Sequence, residues 1–368
     1  MRRYLLLFIC LFFTFFSGSL KSQSQIDSLK EIYLDTSNKD LKRFNAIRYL
    51  VNIYTGQNLD SALKYVYLEE KLCKTFKKEK YYNSCILSKA VIYQYLGIID
   101  STTYYFDYLY NTINPEDSLV TLRLFNAIGN YHQDMGSIDS AMKYYRLLLT
   151  YSVRYDNMIY QGLAYNNLAG THGIKSYEDS AFIYHDKAYR IRLKINNPRS
   201  LAVSLAGKAS SINNFHKKIT LYKQSIEYDS VPYVFNDISM VYSKLAKRQK
   251  SNSYLDSSLF FNLIAIRQSR KLGRKKWVAD GYLGRSQCFR DHYPNSDSGG
   301  IYALKAFRIY RDVKDESGYY NAAYQIAQIS DKKQNPKKCI EYAKISMASI
   351  SINIKDQASF LIAKNYAF

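Results

Sequence analysis

The sequence predicts an all-α protein, a solenoid of about eight helix-turn-helix units. Three observations carry this expectation. The dipeptide Asp-Ser returns at Asp60-Ser61, Asp100-Ser101, Asp139-Ser140, Asp179-Ser180, Asp256-Ser257 and Asp297-Ser298, at intervals of 40, 39, 40, 77 and 41 residues. Each copy is followed by apolar and aromatic residues at helical spacing, as in "AMKYYRLLL" from Ala141. Proline is scarce, and Pro115, Pro198, Pro232, Pro294 and Pro336 all fall where turns between helices are expected.

The first element is a leader. Met1-Arg2-Arg3 gives a basic start, Tyr4 to Phe16 is an almost unbroken apolar run, and small polar residues follow through Ser22. That layout is a secretory signal peptide over residues 1–22, its apolar run being short for a membrane span. Export is therefore expected, to the periplasm or otherwise to the envelope. No later stretch is long and apolar enough to span a membrane once the leader is removed.

The mature part, 23–368, divides into units of roughly 41–79, 80–118, 119–157, 158–198, 199–230, 231–272, 273–315 and 316–353, with a partial ninth at 354–368. In each, a first helix (A) carries a small or apolar residue, such as Leu50, Ala90, Gly129, Ala169 or Ala327. A short turn leads to a second helix (B) that opens at the Asp-Ser pair. Asp or Ser is expected to cap helix B by accepting a backbone N–H, and Asp also suits the positive end of the helix dipole. The fifth unit, Ser200 to Tyr228, has lost the pair, and the sixth is expected to carry a polar insertion near Lys247 to Ser253.

These residues resemble the tetratricopeptide repeat. Ile128-Gly129, Ala141, Tyr145 and Leu148 follow its pattern, with His132 where an aromatic residue is usual. Leu168-Ala169, Ala181, His185 and Ala188 form the next copy, and Ile326-Ala327, Cys339, Ala343 and Ser346 a weaker one. The period near 40 exceeds the family's common 34 and implies longer helices. The resemblance implies a right-handed α-solenoid whose concave face is lined by A helices and binds a protein or peptide.

Carried over position by position, the face is expected to present Arg123, Asn126, Asn130 and Gln133 from the third unit, and Leu163 and Asn166 from the fourth. Leu87 and Gln94 come from the second unit, Tyr233 and Asn236 from the sixth, Arg285 from the seventh, and Asn321, Tyr324 and Gln328 from the eighth. Asparagine amides can grip a peptide backbone through donor and acceptor together, and the arginines can meet carboxylates. Asn126 stands where the family's carboxylate-clamp pattern has lysine, so capture of a peptide C-terminus is not implied.

The formal charge of +21, or +18 once residues 1–22 are removed, could attract phosphates, acidic peptides or anionic headgroups, or simply solvate the helices. With no arginine-rich block or RNA-binding signature, a nucleic-acid partner is not expected. The sequence has no GxSxG, HExxH or P-loop, and it points to no catalytic residue and no cofactor. His132 and His172 occupy equivalent positions, yet no third ligand is suggested by spacing, and no metal site is expected. Cys73 and Cys85 could face each other across a helix-helix turn, but side-chain direction is not legible in the sequence. The 38 tyrosines are expected to pack between helices. The resemblance extends to exported sensor halves of bacterial envelope signalling systems, and alternatively to a free-standing periplasmic scaffold for envelope assembly.

Overall fold

Six helix ends in this chain are made by one recurring turn. At Gly136 the backbone enters the left-handed region (φ 74°), its N–H bonds the carbonyl of Gln133, and the next N–H, from Ser137, reaches back to His132. This is a Schellman stop, which satisfies the carbonyls a helix leaves open at its C-terminus. The same pair of bonds recurs at Gly97, Asp156, Ser176, Lys314 and Gln334. Both A-to-B and B-to-A junctions use it.

The computed structural model describes residues 24–56, 58–75, 79–349 and 352–366; the expected leader, 1–22, lies outside them. Eighteen consecutive helices and no strands occur among the described residues. They are α1 (24–34), α2 (Asp40–Thr55), α3 (Leu59–Cys73), α4 (Glu79–Tyr95), α5 (Ile99–Thr112) and α6 (Ser118–Asp134). Next come α7 (Ile138–Arg154), α8 (Met158–Ile174), α9 (Glu178–Ile195), α10 (Pro198–Ser210), α11 (Phe215–Tyr228) and α12 (Pro232–Gln249). The last are α13 (Asn252–Lys271), α14 (Lys275–His292), α15 (Ser298–Asp312), α16 (Glu316–Lys332), α17 (Pro336–Ser346) and α18 (Ile352–Tyr366). From α2 onward the even helices are A helices and the odd ones B helices.

The described residues form two compact units, one running to residue 160 and including 271–273, the other of 161–270 and the residues from 274 onward. In the first, α2 packs on α3, α4 on α5 and α6 on α7, while α4 also lies beside α6. In the second, α10 packs on α11, α14 on α15 and α16 on α17, with A helices α12, α14, α16 and α18 each beside the next.

The helices approach closely where the sequence places small residues. Leu50, Ala90, Ala169 and Ala327 of the A helices are fully buried, as are Ala62, Thr102, Ala141, Ala181 and Cys339 of the B helices. At Gly129 a Cβ would lie 2.5 Å from the ring of Tyr145, a fully buried residue of α7. Only glycine fits there.

Six of the eight A helices paired with a B helix also meet it through a ring stack. Counting three residues beyond the small B residue gives Tyr65, Tyr105, Tyr144, Tyr184, Phe261 and Tyr302. In the first unit these stack on Tyr54 (centroids 5.2 Å apart), Tyr93 (5.8 Å) and His132 (5.3 Å). In the second they stack on His172 (5.0 Å), Tyr242 (5.7 Å) and Phe289 (5.7 Å). The two histidines are thus flat rings in an aromatic slot, and burial lowers the pKa of His132. No metal-holding cluster of His, Cys, Asp and Glu occurs among the described residues.

The expected capping role of Asp-Ser is corrected. Helix B begins one residue before the pair in α3, α5, α7 and α9, so Asp60, Asp100, Asp139 and Asp179 lie in the first turn. Their carboxylates act on the dipole. Side-chain caps come instead from Asn58, Asn197, Asn214, Asp315 and Asn335, each accepting an N–H three residues on. The shift follows from the Schellman stop, which places the residue after the left-handed one at the N-cap. The polar stretch near Lys247 to Ser253 is no loop insertion either, since it extends α12 and opens α13.

Candidate binding face

The A helices bring the expected residues onto half-buried positions, except Leu87, which is fully buried in the core between α4 and its neighbours and is no part of a binding face. Much of their hydrogen bonding is already directed at neighbouring helices. In the first unit, Arg123 on α6 donates from Nη1 to Ser84 Oγ on α4 (2.7 Å). Gln94 donates to Asp134 from α4 to α6 (2.8 Å). Asn130 and Gln133 both accept from the hydroxyl of Tyr145 (2.8 and 3.2 Å), while Asn126 is half-buried between them and Arg123 along the helix.

Beneath Arg123 lies an ion pair. Glu69 on α3 has no exposed surface and occupies the slot that holds Leu109 and Leu148 in the next two repeats. Its Oε1 accepts from Arg48 Nε of α2 (2.9 Å), while Glu69 Oε2 and Arg48 Nη2 are buried without a partner. Burial raises the carboxyl pKa, and Arg48 opposes that rise. Burial likewise lowers the Arg123 pKa, with the charge of Arg48 adding to it. Alongside, Lys89 pairs with Glu70 (3.0 Å) and lies over the rings of Tyr67 and Tyr105.

In the second unit, Asn166 of α8 is half-buried, and its enclosed Oδ1 accepts no hydrogen bond. Leu163 is half-buried on the same helix. Tyr233 of α12 meets Trp277 edge to face (6.3 Å), and Asn236 accepts from Asn262 Nδ2 (3.2 Å). Arg285 of α14 lies over the rings of Phe289 and Tyr302 (5.7 and 5.2 Å), a cation–π arrangement. Tyr324 donates to Gln357 (2.5 Å) and accepts from Gln328 (2.7 Å), and Gln328 in turn accepts from Arg290. That chain of bonds joins α14, α16 and α18.

Beside it lies a polar groove of about 280 Å³ lined by Arg290, Asp291, Gln328, Asp331, Lys332 and Leu361. Of these only Gln328 is among the residues expected from sequence. Asp291 and Asp331 stand 40 residues apart, one repeat, and that period was the signal available for them. Asp331 is held below the usual carboxylate range by hydrogen bonds from Lys364 and Asn365, which outweigh the opposing effect of burial.

Two acids deeper in this unit behave differently. Asp237 and Asp280 occupy equivalent positions on α12 and α14. Burial pushes Asp237 up to about 7, against the pull of Lys218 and with the charge of Asp280 adding to the rise. Asp280 is also raised by burial, although Tyr310 donates to it (2.5 Å).

Cys73 and Cys85 form a disulfide joining α3 to α4. Cys288 and Cys339 are free and buried.

No family profile and no curated protein matches the chain. Its fold is similar to that of solved repeat proteins at low sequence identity. A Rap protein complexed with competence and sporulation factor matches at 11% identity over 88% of this chain and 86% of that one, with a TM-score of 0.52. Aspartyl phosphate phosphatase F from Bacillus subtilis matches at 14% over 90% and 89%, with a TM-score of 0.52. The Cut9–Hcn1 heterotetramer of the APC/C matches at 16% over 92% of this chain and 58% of that one, with a TM-score of 0.56. These neighbours are tetratricopeptide-type repeat proteins, and the chain shares their fold, an all-α solenoid of helix-turn-helix repeats.

Proposed function

We propose that the chain is an exported module that binds a protein or peptide on its A-helix face, as the sensory or scaffolding part of a bacterial envelope signalling system. The observation that carries the binding reading is the makeup of that face. Within each unit the half-buried A-helix positions carry amides, arginines and tyrosine hydroxyls, and in the second unit a groove of about 280 Å³ lies beside Gln328. A peptide supplies alternating N–H and C=O groups suited to such a surface. The solved Rap neighbour holds a factor of its own. Export is supported by the leader-like start and by the Cys73–Cys85 disulfide, a bond that persists in oxidising compartments.

The test is affinity capture from envelope extracts with the chain and with its Asn126→Ala/Asn166→Ala variant. The same partner should be recovered by the first and lost by the second; equal recovery defeats the binding reading. Export is tested separately by mass spectrometry of the native chain. A mature chain starting at Gln23 with Cys73 and Cys85 resistant to alkylation is expected, and an intact N-terminus with both thiols free overturns it.

A further inference from the structure

Counting eleven residues from the small B residue gives a second recurrent slot, near the C-terminal end of each B helix. It holds Cys73, Ser152, Ser269 and Tyr310, all buried. In α9 the same slot holds Arg192, only 6% exposed. A guanidinium has replaced a small or neutral group.

The surroundings are shaped for it. Gly162 of α8 faces the side chain, and a Cβ there would sit 3.3 Å from Arg192 Cγ and 3.4 Å from Nε. On the other side, Nη1 donates to the carbonyl of Ser200 (3.1 Å) and to Ser204 Oγ (2.7 Å), both on α10. Those partners are neutral. Nε and Nη2 make no hydrogen bond to the described residues. Burial and nothing else depresses its pKa, to about 10, with Tyr233 pulling the other way and no carboxylate acting on it. His185, two turns back on α9, is pushed down to about 4 by burial and by the Arg192 charge, so it is neutral and supplies no counter-charge.

A buried cation without a counter-ion costs several kcal/mol, and proteins ordinarily pair it. Here a second cation stands close by. Exposed Arg199 lies in the first turn of α10, close enough to act, like Arg192, on Tyr233. Asp237 and Asp229 act on Tyr233 as well, Asp237 more strongly than either arginine, but neither acts on Arg192. Tyr233 belongs to the A-helix face.

We propose that Arg192 is a recessed seat for a carboxylate of the ligand, with Arg199 guiding it in and the Tyr233 hydroxyl and Ser204 flanking it. The two free donors of one planar guanidinium match the two oxygens of a carboxylate. The inference rests on the binding reading above and gives it a ligand class, an acidic peptide. The carboxylate comes either from an Asp or Glu side chain or from a peptide C-terminus.

The experiment uses the full chain and fluorescein-labelled octapeptides: (Glu-Gly)4 amide, (Gln-Gly)4 amide and (Gln-Gly)4 free acid. Fluorescence anisotropy at physiological ionic strength should show one carboxylate peptide binding at least about tenfold more tightly than the neutral amide. Tighter binding of (Glu-Gly)4 identifies a side-chain source, and of the free acid a terminal one. Arg192→Met, which keeps the volume and removes the charge, should abolish that preference with the melting temperature unchanged or raised. Lys194→Gln, an exposed residue of the same helix, removes equal charge and should leave the preference intact. Equal losses in the two variants, or no carboxylate preference at all, overturn the seat. So does a melting temperature that falls in Arg192→Met, since the charge would then be structural. Parallel capture with Arg192→Met separates the two readings. A partner still recovered in full sinks the seat alone, whereas the earlier test on Asn126 and Asn166 bears on the binding reading alone.

Discussion

Glu69 in the first compact unit and Arg192 in the second are buried charges held in opposite ways. In the first, the fully buried Glu69 meets Arg48 at 2.9 Å, and beside it the half-buried Glu70 meets Lys89 at 3.0 Å. In the second, Arg192 has only neutral partners, and Asp237 has Lys218 acting at a distance and a second acid, Asp280, beside it. The difference separates two uses of a buried charge. A pair within hydrogen-bond reach fixes the register of the helices it joins, because either half left alone is costly. A charge held only by neutral groups, as Arg192 is by Ser200 and Ser204 of α10, gains hydrogen bonds but no counter-charge, and its remaining cost is not offset within the fold.

The sharpest way to break the first half of that contrast is Glu69→Gln. It keeps the shape, leaves Arg48 uncompensated, and should lower stability by about 3 kcal/mol in chemical denaturation. The double change Arg48→Met/Glu69→Leu should recover most of the loss, since this slot holds leucine in the next two repeats. No recovery would show that the pair does more than hold register. Gly129→Ala supplies a benchmark for packing alone, because its Cβ must displace the buried Tyr145 ring; a loss of about 2 kcal/mol is expected by the same measurement.

Asp237 tests the second half by pH. A carboxyl ordinarily near 3.9 and raised to about 7 keeps its proton longer in the folded chain than in the unfolded one. Stability is therefore highest on the acid side, falls as pH rises from about 4, and stops falling above about 7. Melting temperatures across that range should slope downward, and Asp237→Asn should flatten the slope. An unchanged slope would place the titration elsewhere. The smallest effect belongs to Arg192→Met, for which a change within about 1 kcal/mol, in the stabilising direction, is expected.

How much of this was legible in the sequence depends on whether a feature repeats. The helix pairs, the small residues at their crossings and the aromatic slot of His132 and His172 all recur at a fixed period, and a period survives without coordinates. The Asp-Ser pair was legible as the start of helix B but not as its first turn. The turn geometry before it, set by a left-handed residue that is Gly in one repeat and Ser in the next, decides which residue is the cap. That these residues lie on A helices was legible, but their bonds were not, and neither was the burial of Leu87. Tyr145 reaching Asn130 and Gln133, or Tyr324 reaching Gln357, depends on rotamers and on distances between helices. Arg192 was hidden for a different reason. In "AYRIRLK" it looks like one more cation on a solvated helix, and only alignment with Ser152 and Tyr310 reveals that its slot is inside.

The Schellman stops have one more consequence. Glycine fills the left-handed position at Gly97, Gly136 and Gly273, but Asp156, Ser176, Asn196, Lys250, Lys314 and Gln334 hold it with side chains, at φ between 49° and 62°. A side chain other than asparagine or aspartate there costs on the order of 1 kcal/mol. The molecule thus tolerates small local tensions at Ser176, Lys250, Lys314 and Gln334 that its own architecture shows how to relax. Glycine at Lys250, Lys314 and Gln334 would make a hardier version of the same scaffold without touching either face, and thermostability could be engineered along the joints alone.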